Sequence, residues 1–520
     1  MEIHRIRRTA PRAVATLITV LAAAGCAAPA APGAGDSAVL RVAGPFETHS
    51  VAPVESDGLF TRLEVVETLV SSDLEGDLMP GLATGWDESR GGRSWTFELP
   101  ADVTFHDGTT LTADAAAASL RAAAEEEASP LAAAPIRGIE AEGDAVRIDL
   151  AARYPALPAV LTHYSTVVLA PSSYDADGAV TEVVGTGPYR VERLELPANI
   201  EVRRFEDYRG PAPQIERVAF QAVGRAESRA LLAVGDQADV VFGLEPAGRE
   251  RVDQAPGVAM ESSLQPRSLL LKVNAKDPAL ADVRVRRALS MALDRAAIAD
   301  AVLREPDLAA TQLFPPSLTA WHVPTLDPLE QDVEQARELL AEAGWTAGPD
   351  GILEKDGEPL RLTLTTYPDR PELPALATAI QADLREVGVD LAVDVTNSSE
   401  IPARHADGTL DLGLLARHLA LVTDPLVTVA EMFPPEGSDW GAMNWSDPAL
   451  LDAIETLQSD ADDTTAARAR TTIAETAQAE LPLIPVAWYR MNAAVNERVA
   501  GFVMDPLERT WHLSEMEWAS

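Results

Sequence analysis

The stretch "LMPGLATGWDESRGGRSWTFELPADVTFHDGTTLTADAAAASL", Leu78 to Leu120, carries the decisive local reading. Trp95, Phe97 and Leu99 alternate as on a half-buried strand, and Val103 and Phe105 resume the alternation. His106-Asp107-Gly108 follows. A histidine beside an aspartate could bind metal or move protons, but Asp-Gly after a strand is foremost a turn signal. Thr112 then stands at a helix N-cap, and alanines carry a helix to Leu120. The stretch therefore reads as strand, turn, helix, and leaves His106 and Asp107 open between a turn and chemistry.

Outward from there, "FTRLEVVETLVSSD" (60–73) has Phe60, Leu63, Val66 and Leu69 at helical spacing, which predicts an amphipathic helix. "GTGPYRVERLELPANIEVRRFEDYRG" (185–210) reads as a hairpin around Pro-Ala-Asn. "SLLLKVNA" (268–275) is a nearly continuous apolar strand. "DVRVRRALSMALDRAAIADAVL" (282–303) predicts one long helix capped by Asp282. "DVEQARELLAEAGW" (332–345) predicts another, closed by Gly344. "PLRLTLTTY" (359–367), a helix near Leu373–Val387 and "VDLAVDV" form a βαβ unit.

The chain has 520 residues, too many for one core, and a net charge of −39. Its mean hydropathy of −0.02 is that of ordinary globular material. So acidic a chain repels polyanions, which argues against nucleic acid as a partner. Arg5, Arg7, Arg8 and Arg12 precede an apolar run, Ala13 to Ala24, and then Gly25-Cys26. This is the pattern of a signal peptide. The run is too short to span a membrane. "AAGC" resembles a bacterial lipobox, with Ala23 where leucine is usual, and implies cleavage before Cys26 and a diacylglycerol on its thiol. An ordinary secretory signal with a nearby cysteine is the alternative. Cys26 is the only cysteine, which leaves no disulfide framework and no cysteine-based metal site.

Taken in order, these segments resemble the family 5 solute-binding proteins of ABC importers, which take up peptides, nickel complexes and related ligands. The quoted stretch and "GTGPYRVERLE…FEDYRG" look like the family's two signatures. "VRRALSMALDRAAIADAVL", "ARELLAEAGW", "EKDGEPLRLTL" and "IQADLREVGVDL" match in sequence and spacing. The likeness runs from about Val39 to about Phe502. "TADAAAASLRAA" and "ARHADGTLDLGLLARHLALVTDP" favour the nickel-binding branch.

The resemblance implies an α/β, two-lobed, periplasmic-binding-protein-like clamshell with mixed sheets, its large first lobe enlarged by an extra subdomain. Residues 1–25 would be the lipoprotein signal peptide and 26–37 a tether. Residues 38–268 would form lobe I, 269–484 lobe II, and 485–520 a return to lobe I. It implies an extracytoplasmic monomer held at the cell membrane by a lipid on Cys26. Such a protein would capture a metal chelate, metallophore, peptide or related compound and deliver it to a membrane permease. An extracytoplasmic hydrolase or a chemosensory receptor on the same scaffold is the alternative.

No HExxH, GxSxG or P-loop pattern occurs, so no catalytic residue, cofactor or resident metal site is assigned. By the resemblance, peptide-binding members hold the ligand amine with an aspartate where Leu421 stands here. The nickel branch has an aromatic near Leu419, a histidine near Gly437 and an arginine at Pro100. Arg417 and His418 remain in a segment that faces the cleft in relatives. A guanidinium fork suits a ligand carboxylate, unless an acidic neighbour already occupies it. His49, Phe60, Arg62, Trp321, Trp440 and Trp445 are further ligand-binding candidates.

Overall fold

The structure, a computed structural model, describes residues 39–520 apart from Asp369 and Asp460. The signal-peptide, tether and Cys26 expectations lie outside the described residues. Two long antiparallel strands, Val258–Val273 and Leu483–Asn496, run through the middle of a ten-stranded sheet. They pair from Val258 opposite Asn496 to Lys272 opposite Leu483, with register shifts between Gln265 and Ser268 and between Leu269 and Leu270. Leu269, Leu270, Leu271 and Val273 are each fully buried, as a continuous apolar strand covered on both faces requires.

On one side of this pair lie Val240–Phe242, Val39–Gly44 and Arg217–Ala222, mutually parallel, followed by the hairpin Tyr189–Glu195 and Asn199–Arg204. On the other side Leu412–His418 pairs antiparallel to Val258–Val273. Beyond it come Arg361–Thr366 and Asp390–Val395, parallel and joined by the helix Glu372–Glu386, which is the expected βαβ unit.

The two sides bury separate cores. One holds Leu40, Phe60, Tyr189, Phe220, Phe242, Ala493 and Trp511. The other holds Leu269 to Leu271, Phe314, Leu364, Leu414, Ile484 and Ala487. A third core lies under a four-stranded sheet built from Gly85–Ser89, Ser94–Glu98, Ala145–Leu150 and Ile136–Glu142, closed by the helix Ala113–Glu125. Val422 also belongs to this third core. The segment after His418 therefore reaches across to it.

His106-Asp107-Gly108 is a turn. Gly108 adopts φ +83°, Gly108 N donates to Phe105 O at 2.9 Å, and Asp107 Oδ1 accepts from Thr109 N at 2.9 Å. Thr112 Oγ1 caps the helix by accepting from Ala115 N at 3.2 Å. His106 has a second task. Its Nε2 lies 3.0 Å from Gly187 O, and its backbone N donates to Gly185 O at 2.9 Å. Burial holds its pKa down at about 4, so the ring is a neutral donor at neutral pH. Gly185 and Gly187 abut the Val65 and Glu64 carbonyl oxygens so closely that a Cβ at either would collide. The histidine turn and the Gly-Thr-Gly-Pro segment thus brace one another.

Two helix expectations are corrected. The helix over 60–73 exists only as Leu59–Arg62, followed by Glu64 at φ +54° and a short strand, Val70–Ser72. The Glu64 carboxylate accepts from Ser514 N and Oγ and from Thr510 Oγ1, and its carbonyl oxygen accepts from Tyr189 N at 3.2 Å. The helix over 282–303 breaks into Val283–Ala292, Arg295–Ile298 and a wider turn, Ala299–Leu303. Asp294 caps the second piece by accepting from Ala297 N at 2.9 Å, and its own N–H donates to Asp383.

Candidate ligand-binding site

The site grows from cross-strand register. Arg267 stands opposite His418, and Ser268 opposite Arg417. Successive strand residues face opposite ways: Arg417 pairs with Glu431 at 2.7 Å, and His418 shares a face with Arg267. Arg267 Nη2 forms an ion pair with Glu508 Oε1 at 2.8 Å, both side chains almost fully buried. Arg62, from the short helix of the first core, donates from Nε to Glu508 O at 3.2 Å and brings Nη2 to 3.9 Å from Glu508 Oε2. With its amide oriented to donate, the Gln265 nitrogen lies 2.5 Å from Glu508 Oε1 and 3.1 Å from Pro506 O.

Burial pushes the Glu508 carboxyl up, but Arg267, followed by His418, Arg62 and Arg370, outweighs it and holds the pKa at about 2. Burial and then the Arg267 charge press His418 down to about 3. The ring is therefore neutral at neutral pH. Its tautomer follows from geometry: Nδ1 accepts from Ala420 N at 3.1 Å, so the proton sits on Nε2. That Nε2–H lies 3.9 Å from Glu508 Oε1, too far to hydrogen-bond. His418 Nε2 and Arg62 Nη1 are both buried with no hydrogen-bond partner among the described residues.

Two cavities flank this knot. One of about 340 Å³ is lined by Arg62, Glu64, Tyr208, Arg209 and Glu508. The other, of about 530 Å³, is lined by Tyr154, His163, Arg417, His418 and Glu431. Tyr164 and Leu421 line both. A third cavity of about 420 Å³ is bounded by Arg370, Glu372 and Tyr489. Tyr489 carries Arg267 and Arg370 over its ring at 5.1 and 5.8 Å.

Of the residues expected from sequence, the structure gathers Arg62, Arg417 and His418. The other five line none of these three cavities. Trp321 is 3% exposed in a core, against Phe314 at 5.2 Å. Phe60 is likewise core. His49 projects outward, near Glu47. Trp440 packs on Tyr367 at 6.3 Å and Trp445 on Phe433 at 5.9 Å. Both core aromatics pack among apolar side chains. Sequence reasoning missed Arg267, Glu508 and Tyr489. A charged residue heading the buried run "RSLLLKV" is the signal that could have found Arg267, because an arginine is rarely fully buried without a purpose. Among the described residues no group of three or more His, Cys, Asp or Glu is placed to hold a metal ion.

The sequence matches the family of bacterial extracellular solute-binding proteins, family 5, over residues 77–439. The chain belongs to this family. The nickel-binding periplasmic protein of Escherichia coli is 29% identical over 424 residues, covering 79% of this chain and 80% of that protein. The dipeptide-binding protein of E. coli is 24% identical over 499 residues, 89% of each. The crystal structure of NikA from Brucella suis in complex with Fe(III)-EDTA superposes with a TM-score of 0.84 at 25% identity, covering 93% of this chain and 100% of that one. The fold is thus the two-lobed α/β clamshell of periplasmic binding proteins, with the third core as an added subdomain. The family is one of solute-binding proteins, not enzymes. Among the described residues of this solute-binding protein, no helix is long and apolar enough to cross a membrane.

Proposed function

We propose that this solute-binding protein serves an ABC importer and captures a small ligand bearing a carboxylate, such as a metal chelate, between its lobes. The observation that carries the reading is the pair of unpartnered buried donors, Arg62 Nη1 and His418 Nε2–H, which come from two different cores beside adjoining cavities. Leaving such groups unpaired is costly, and ligand oxygens would satisfy them. Arg417, whose Nε is also without a partner, adds a guanidinium at the edge of the larger cavity. Leu421, lining both cavities, offers nothing to a ligand ammonium.

The relatives support this choice: the E. coli protein's name specifies nickel, and the B. suis structure holds a carboxylate-rich chelate. Lobe I would comprise residues 38–268 and 485–520, and lobe II residues 269–484. Core membership supports a hinge there, although the return strand changes cores between Ala487 and Ala493, slightly past Pro485. Cys26 would carry the lipid that holds the mature monomer at the membrane, where it meets its permease.

Calorimetric titration with iron(III)–EDTA, nickel(II)–EDTA and a free dipeptide tests the reading. A chelate should bind, and Arg62→Met, titrated well below its own lowered Tm, should weaken it at least tenfold. Tight dipeptide binding, unaffected by Arg62→Met, would contradict it.

A further inference from the structure

Glu508 occupies an unusual place. It lies in the turn 505–510 with φ +58°, a left-handed backbone that residues with a Cβ avoid. Asp505 enforces that turn: its carboxylate accepts from Leu507 N at 2.8 Å, Arg509 N at 2.9 Å and Thr510 N at 3.2 Å. Glu508 N donates to Asp505 O at 3.2 Å. The turn delivers the carboxylate into the space where Arg62, Arg267 and His418 converge. Two guanidiniums then share one carboxylate, and the Arg62 Nη1 and His418 Nε2 donors remain beside it.

We propose that Glu508 is a resident counter-ion that sets the charge of the ligand this cleft accepts. It neutralises one of the two guanidiniums and leaves the Arg62 Nη1 and His418 Nε2 donors to ligand carboxylate oxygens. A ligand carrying a further negative charge meets the buried Glu508 carboxylate and is disfavoured. Were Glu508 neutral, the same donors would present an additional positive charge and favour that ligand instead. This inference rests on the carboxylate-binding reading above.

The test compares iron(III)–EDTA, a monoanion, with nickel(II)–EDTA, a dianion of similar size, on wild type and Glu508→Gln. The wild type should prefer the monoanion. Glu508→Gln should move the ratio of the two Kd values towards the dianion by roughly ten- to a hundredfold, the range for one unit charge at partly screened protein distances. An unchanged ratio overturns the proposal and leaves the carboxylate-binding reading standing. If neither protein binds either chelate, the chelate reading falls, and the counter-ion role is decided on the ligand-free protein. There Glu508→Gly, suited to the left-handed turn, opens a carboxylate-sized gap between Arg62 and Arg267. Sodium acetate should raise the Tm of this variant more than sodium chloride at equal ionic strength, and by a larger margin than in wild type. Absence of acetate-specific stabilisation overturns the proposal. The same acetate titration decides the matter if Glu508→Gln fails to fold.

Discussion

Arg267 and Glu508 meet at 2.8 Å with side chains only 6% and 7% exposed, 241 positions apart in sequence and at the seam between two cores. A buried pair of this kind adds little net stability over an apolar substitute. Breaking it by removing one partner is expensive, commonly about 3–5 kcal/mol. Its value here is positional, because it ties the strand Val258–Val273 to the C-terminal turn on which the site depends.

Acid should expose this tie. The Glu508 pKa is depressed from 4.5 to about 2 in the folded protein. The stability it contributes is present above the unfolded value of 4.5 and is lost as pH falls from there towards 2. The linkage amounts to about 3 kcal/mol. Wild type should lose stability over this window in urea titrations, and Glu508→Gln should lose less by about that amount. Parallel pH profiles for the two proteins would contradict the burial and pairing described.

Arg417 should act in binding more than in stability. Its ion pair with Glu431 is short, 2.7 Å, but the Glu431 side chain is 56% exposed. Pairs of that kind contribute about 0–1 kcal/mol. Glu431→Gln should therefore leave the Tm nearly unchanged and tighten a carboxylate chelate by freeing the guanidinium. Arg417→Ala should weaken the same chelate by about 1.5–3 kcal/mol, the usual range for a hydrogen bond to a charged group. Unchanged affinity with an early-melting empty protein would place Arg417 in a structural pair.

Lys272 gives a second pH signature. It is fully buried, and Nζ donates to Ser438 O at 2.5 Å and Asp439 O at 2.8 Å, with His405 Nδ1 at 2.9 Å. Burial lowers its pKa from 10.5 to about 7. Between those values the unfolded chain binds the extra proton, so stability should rise with pH across that window. The slope from one group cannot exceed about 1.4 kcal/mol per pH unit. Lys272→Met should flatten the rise and, by leaving the two carbonyls unpaired, cost about 1–3 kcal/mol each. A variant that keeps the wild-type slope would show that another group produces it.

The anchor is tested in cells of the source bacterium. Cys26→Ser should release the protein from the membrane fraction into the soluble extracytoplasmic fraction. One lipid chain holds a protein only marginally, whereas two or more anchor it stably, so the shift should be nearly complete. Continued membrane association of that variant would contradict lipidation at Cys26.

Local chemistry was legible and convergence was not. Gly108, Thr112, Asp282, Asp332 and the Leu269–Leu271 run each announce their structure within a few residues. The helix expected over 60–73 failed because its apolar spacing said nothing of Ser514, 450 residues away, whose N–H binds the carboxylate of Glu64, where the backbone turns left-handed. Glu508 was invisible for the same reason. "DPLERT" is an ordinary turn sequence until Asp505 and three distant cations give its glutamate a place. Trp321 shows the ambiguity of aromatics, since one that suits a cleft equally suits a core, and here it packs in a core.

Mass spectrometry with metal analysis of the ligand released from the purified protein tests the central claim most directly. The account predicts a small molecule with at least one carboxylate, in a metal chelate, in wild type and its loss in Arg62→Met. A free peptide with an unblocked amine, or a ligand with no anionic group, would contradict it.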